Sequence, residues 1–120
     1  MHMIPDIVTV TVDRPMGSTH PVHGALHYPI NYGYVKGILA PDGEDQDAYI
    51  IGIDRPVPAF TGRLIAIIHR ANDIEKKWVV APDHILFDIN QIRALVQFQE
   101  RYFASTISMI PHHTEHNNDR

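Results

Sequence analysis

Five short runs of β-branched and aromatic residues, separated by proline and glycine, precede a single stretch of helical periodicity, and that order confines the chain to a mainly β fold closed by one helix. The first run, residues 7–13 (IVTVTVD), alternates Val8, Val10 and Val12 with Ile7, Thr9 and Thr11, the period of a strand with one apolar face. Residues 15–29 hold three prolines, two glycines and three histidines without periodicity and read as a loop or irregular edge. The segment 28–41 (YPINYGYVKGILAP) reads as extended, with Gly33 and Gly37 marking bulges or close backbone approach. After a turn at Pro41-Asp42-Gly43 come strands at 48–54, 63–70 and 77–81, the last two joined through 71–76. Asp88 with Gln91 three residues on predicts a capped helix start, and Ile89, Ile92, Leu95, Val96, Tyr102 and Phe103 recur at helical spacing over about 17 residues. The expected architecture is a small five-stranded OB-like barrel capped by a C-terminal amphipathic helix, in one domain over 1–111 with a polar, flexible tail at 112–120.

Composition narrows the chemistry. The chain is 44% hydrophobic and 20% charged, which excludes disorder, and no apolar run reaches the roughly 20 residues of a membrane span. Ten Lys and Arg against 14 Asp and Glu leave a formal charge of -4 with no basic stripe, so nucleic acid is not an expected partner. Cysteine is absent, so disulfides, thiolate nucleophiles and cysteine zinc sites are excluded. The N-terminus lacks a signal peptide's layout, and the cytoplasm is the expected compartment.

Residues 42–47 read DGEDQD and place four carboxylates in six positions before an apolar strand. At an effective dielectric of about 20, two carboxylates about 4 Å apart repel by roughly 4 kcal/mol, so these groups splay into water or share a cation. Asp42 and Glu44 share a face if extended, and Asp47 opens the strand; Asp73 and Glu75 form a second pair spaced by two. Hard, oxygen-seeking ions such as Mg²⁺ suit clusters of this kind, and a solvated acidic turn is the alternative. His20, His23 and His27 sit among Pro21, Gly24 and Pro29, which prevents helical alignment and makes them loop residues.

The run YPINYGYVKGILAPDGEDQDAYIIG (28–52) resembles the core of the soluble, Mg²⁺-dependent (family I) inorganic pyrophosphatases, whose hallmark is a YP-x-NYG segment followed by a turn with aspartates spaced D-x-D-x-x-D. NDIEKKWVVAP (72–82) resembles the family's second acidic segment, and ERYF (100–103) the end of its C-terminal helix. The resemblance implies Mg²⁺-dependent hydrolysis of pyrophosphate through a metal-activated water, with Mn²⁺ or Zn²⁺ as substitute ions. By position it implies Asp42, Asp47, Asp73 and Glu75 as metal ligands, Glu44 as general base, Tyr32 in the catalytic set, and Lys77 and Tyr102 as substrate contacts.

Two departures stand out. Glu44 occupies an aspartate position, which lengthens the reach by roughly 1.5 Å. No Lys or Arg lies between Arg14 and Lys36, where the family carries a cationic hairpin, so His20, His23, His27, Arg14, Arg101 or a partner subunit in a homo-oligomer would supply positive charge. Two further readings follow: a hydrolase of another phosphoanhydride, and a non-catalytic module that binds metal and a phosphorylated compound.

Overall fold

The structure, a computed structural model, describes residues 4–71 and 75–111. Among the described residues six strands and one helix follow in the order β1 (Ile7–Arg14), β2 (Asn31–Leu39), β3 (Asp45–Ile50), β4 (Ala59–Arg70), β5 (Lys76–Ala81), α1 (Ile89–Glu100) and β6 (Ser105–Met109). The hydrogen-bonded order is β1-β2-β3-β5-β4-β6, and β1 also pairs with β4, which closes the first five strands into a barrel. Neighbours are antiparallel except β3 and β5, which run parallel. The twelve-residue β4 makes closure possible. Its first half pairs with β1 from Ala59 to Arg63, an irregularity lies between Leu64 and Ala66, and its second half pairs with β6.

Strand alternation produces two apolar clusters. Val8, Val10, Val35, Ile50, Leu64 and Trp78 belong to one that draws on all five barrel strands and fills the interior. The other lies on the outer face, where Tyr49, Ile68 and Val79 meet Ile92 and Val96 of α1. Asp88 caps α1 as its sequence predicts: its Oδ1 accepts from the Gln91 N–H at 2.8 Å, and Gln91 Oε1 accepts from the Asp88 N–H at 2.8 Å.

Both glycines singled out in β2 have a reason. A Cβ on Gly33 would fall 1.9 Å from the Thr11 carbonyl oxygen, so β1 and β2 approach this closely only without a side chain. Gly37 has φ +86° inside the register shift between Val35 and Leu39.

The C-terminal helix is shorter than its periodicity suggests. It spans 12 residues and ends at Glu100, with Arg101 as its C-cap, so Tyr102 and Phe103 lie in a turn. The segment Ser105–Met109 then becomes a strand, because the second half of β4 otherwise presents an unpaired edge that β-branched Thr106 and Ile107 can cover. Among the described residues no helix is long and apolar enough to cross a membrane. The expectations for residues 112–120 and for Asp73 fall outside the described residues.

Candidate active site

Register places the chemistry. In the β2–β3 pair, Tyr32 lies opposite Tyr49 and Tyr34 opposite Asp47, so Tyr32, Asp47 and Tyr49 share the outer face. On β5, Lys77 alternates in phase with Val79 and emerges on the same side. Lys77 Nζ donates to Asp47 Oδ2 at 2.5 Å and also to Glu75, with the lysine side chain only 4% exposed. Its ammonium is 5.9 Å from the Tyr32 ring centroid, at the outer limit for a cation–π contact.

Beneath this pair lies a second, almost entirely buried cation. Arg70 closes β4 and forms a two-point contact with Glu100 at the end of α1, while its Nη1 donates to Glu75 Oε1 at 3.3 Å. Its guanidinium stacks 3.6 Å from the Phe103 ring centroid. Glu100 also accepts from the Tyr49 hydroxyl at 2.6 Å and from Ser105 Oγ at 2.7 Å. Gln99 extends the network, donating to the Tyr49 oxygen at 2.7 Å and accepting from Tyr28 at 3.0 Å. These bonds satisfy each buried polar end, the condition under which a polar network holds a rigid geometry.

The network sets the protonation states. Burial works against ionisation of Glu100, but the hydrogen bonds from Arg70, Tyr49 and Ser105 outweigh it and hold the carboxyl below its ordinary 4.5. Burial first, and then the charge of Asp47, push the Tyr32 phenol well above 10, so it is a hydrogen-bond donor throughout the physiological range.

Above these groups opens a cleft of about 610 Å³. Asp47, Lys77, Arg70, Tyr28 and Tyr32 line its floor side. Arg14, His20, His23 and Leu26 line it from the end of β1 and the β1–β2 loop, and Tyr102 and Phe103 from the turn after α1. His20 Nδ1 accepts from the N–H groups of Val22 and His23 at 3.0 and 3.1 Å. Lost hydration first, then the charges of His23 and Arg14, lower the pKa of His20 below 6.5.

The residues singled out in the sequence divide. Tyr32, Asp47, Lys77, Tyr102 and His20 line one cleft, and Glu75 joins them through Lys77. Asp42 and Glu44 are exposed on the turn before β3, where Asp42 Oδ1 accepts from the Glu44 N–H at 2.9 Å, and neither lines the cleft. Arg101 borders a smaller depression beside β6 and reaches Tyr102. Asp73 lies outside the described residues. Tyr28 and Glu100 open the segments 28–52 and 100–103 but carry no site role in the sequence reading, and Arg70 is not singled out there. A signal for Arg70 exists: it keeps the phase of Ala66 and Ile68 on an otherwise apolar strand face, so its charge must be buried and paired.

A divalent cation finds no preformed ligand set among the described residues, where no three Asp, Glu or His side chains converge on one point. Asp47 and Glu75 converge on Lys77, and Glu75 and Glu100 on Arg70, so each of these pairs is already engaged by a cationic side chain.

Comparison with solved structures relates this architecture to known proteins. The inorganic pyrophosphatase of Ehrlichia chaffeensis superposes with a TM-score of 0.71 over 91% of this chain and 89% of that one, at 16% identity. The chain has the pyrophosphatase fold. The Helicobacter pylori and Thermus thermophilus inorganic pyrophosphatases superpose with TM-scores of 0.61 and 0.59, over 88% and 92% of this chain and 82% and 84% of theirs, at 17% and 15% identity. In sequence, the inorganic pyrophosphatase of Rhodospirillum rubrum is 36% identical over 53 residues, 42% of this chain and 30% of that protein. That of Caulobacter vibrioides is 39% identical over 44 residues, 37% of this chain and 23% of that protein. The matched segments thus span less than a third of either relative. No family model matches the sequence.

Proposed function

We propose that the chain hydrolyses the phosphoanhydride bond of inorganic pyrophosphate. The observation that carries this reading is the meeting of Asp47, Tyr32 and Lys77 in one cleft of the pyrophosphatase fold. Sequence similarity to two inorganic pyrophosphatases supports it.

The side chains suit the reaction. Lys77 and Arg14 neutralise the anion, and Tyr32, held protonated, donates to a phosphoryl oxygen. Water attacks one phosphorus, the bond from that phosphorus to the bridging oxygen breaks, and the water's proton passes to a carboxylate. Asp13 and Asp47 are the carboxylates that line the cleft, and Asp47, beside Lys77 and Tyr32, is the one assigned here, while Asp42 and Glu44 stand on the exposed turn before β3. Tyr102 and His20 contact the substrate from above, and Arg101 acts through Tyr102. Positioning and charge stabilisation suffice for phosphoryl transfer, so the lack of a cysteine nucleophile is no obstacle.

Mg²⁺ is the cofactor the resemblance implies, with Mn²⁺ or Zn²⁺ as substitutes and Asp42, Asp47, Asp73 and Glu75 as candidate ligands. The described residues do not form a ready site for it, so every step above is assigned to side chains. A homo-oligomer in the cytoplasm completes the proposal, a partner subunit adding cations where the β1–β2 loop carries none.

The test is phosphate release from pyrophosphate with Mg²⁺, Mn²⁺, Zn²⁺ or a chelator. Release in any of these conditions, and its loss in Asp47→Asn, supports the enzyme. The engagement of Asp47 and Glu75 by Lys77 favours a second reading, a binding module without turnover. Calorimetric binding of pyrophosphate with no phosphate released over hours selects that reading.

A further inference from the structure

The cleft is larger than pyrophosphate needs. Allowing about 30 Å³ per heavy atom, the share of one liquid water, pyrophosphate with about nine heavy atoms fills less than half of it. The cleft's volume of about 610 Å³ falls within the range of pockets that enclose an organic molecule of moderate size.

Its lining is also of two kinds. Beside the charged groups lie Tyr102 and Phe103, which are 63% and 40% exposed, and Ala25 and Leu26 from the β1–β2 loop. Tyr102 and Phe103 reach the cleft because α1 stops at Glu100 and the chain turns before β6. Phe103 is held in place by its stacking on the buried Arg70. The Arg101 guanidinium lies 5.1 Å from the Tyr102 ring centroid, and its Nη2 donates to the Tyr102 hydroxyl at 3.0 Å. An exposed ring with an arginine fork beside it suits a planar heteroaromatic group that both stacks and accepts hydrogen bonds.

We infer that the Tyr102–Phe103 turn forms a nucleobase subsite and that the cleft takes a nucleoside diphosphate, its base on these rings and its phosphates on Lys77 and Arg14. The inference rests on the phosphoanhydride chemistry proposed above and extends it from an inorganic to an organic substrate. The reaction balances in the same way. Water attacks the terminal phosphorus, the bond from that phosphorus to the bridging oxygen breaks, and nucleoside monophosphate and inorganic phosphate leave with one proton released.

Calorimetry with two non-hydrolysable probes tests the subsite apart from catalysis: methylene-bridged ADP and methylenediphosphonate, which share the diphosphonate and differ by the nucleoside. The nucleotide probe should bind about tenfold more tightly. Tyr102→Ala should erase that advantage, and Tyr102→Phe, which keeps the ring, should retain it. Equal affinity for the two probes, or an advantage that survives Tyr102→Ala, overturns the subsite. Because these measurements need no turnover, failure to release phosphate from pyrophosphate would defeat the proposed hydrolysis while leaving this comparison readable.

Discussion

Arg70 and Glu100, one ending a barrel strand and the other the helix, meet in a fork-to-carboxylate pair with Nε–Oε1 at 3.2 Å and Nη2–Oε2 at 2.7 Å. Both side chains are almost entirely buried, at 6% and 4% exposure. The pair ties the end of β4 to the end of α1 directly under the cleft, and Phe103 of the following turn and Ser105 at the start of β6 lean on it.

Removing one partner should therefore cost far more than removing both. Glu100→Gln takes the closer, two-point counter-charge from a buried guanidinium and leaves it only the Glu75 contact at 3.3 Å, and a loss of about 3 kcal/mol in urea unfolding is expected. The double variant Arg70→Met/Glu100→Leu should recover most of that loss. A double variant no more stable than Glu100→Gln would contradict this account.

The same pair predicts an acid limb. Glu100 has a folded pKa below 4.5, so its contribution is present above the unfolded value and is lost as pH falls through the folded one. The melting temperature of the wild type should fall as pH drops below about 4.5. Arg70→Met/Glu100→Leu should show a shallower decline over that window.

Asp47 and Asp42 should separate in kinetics. Asp47 lines the cleft and holds Lys77, whereas Asp42 accepts a backbone hydrogen bond that asparagine can accept equally well. Asp47→Asn should lower phosphate release by about 100-fold, the scale for losing one preorganised electrostatic partner, and Asp42→Asn by less. Equal losses would mean that the acidic turn reaches the substrate.

Tyr32 should act as a donor and not as a base. Its phenol stays protonated past pH 10, so Tyr32→Phe should reduce kcat about tenfold or more without moving an alkaline limb below that pH. A limb near pH 9 that vanishes in Tyr32→Phe would overturn the assignment.

Gly33→Ala tests the fold beneath the motif. The added methyl would meet the Thr11 backbone, which cannot swing aside, so destabilisation of at least about 3 kcal/mol is expected in the same unfolding assay.

The existence and order of the five barrel strands, the capped helix start and the tight place at Gly33 were legible in the chain, because period, capping chemistry and glycine report local geometry. Strand ends were less so: β3 ends at Ile50 rather than 54, and β4 begins at Ala59 rather than 63, since pairing with β1 extends it into the segment that reads as a loop. The sixth strand was not. Residues 105–109 become β6 through an edge of β4 that no local pattern reveals, and this shortens the helix and turns Tyr102 and Phe103 toward the cleft.

The sequence alone determined which residues can carry charge and hydrogen bonds in this protein, and which faces its strands must bury, since side-chain chemistry and alternation are properties of the chain. Tertiary structure decided which of those groups meet. Barrel closure and the parallel β3–β5 pair bring Asp47 to Lys77 from 30 positions away, and the end of α1 brings Glu100 to Arg70 across the same span, while Asp42 and Glu44, close neighbours of Asp47 in sequence, stay on an exposed turn. Electrostatic energy depends on distance in space, and only the closed fold sets that distance.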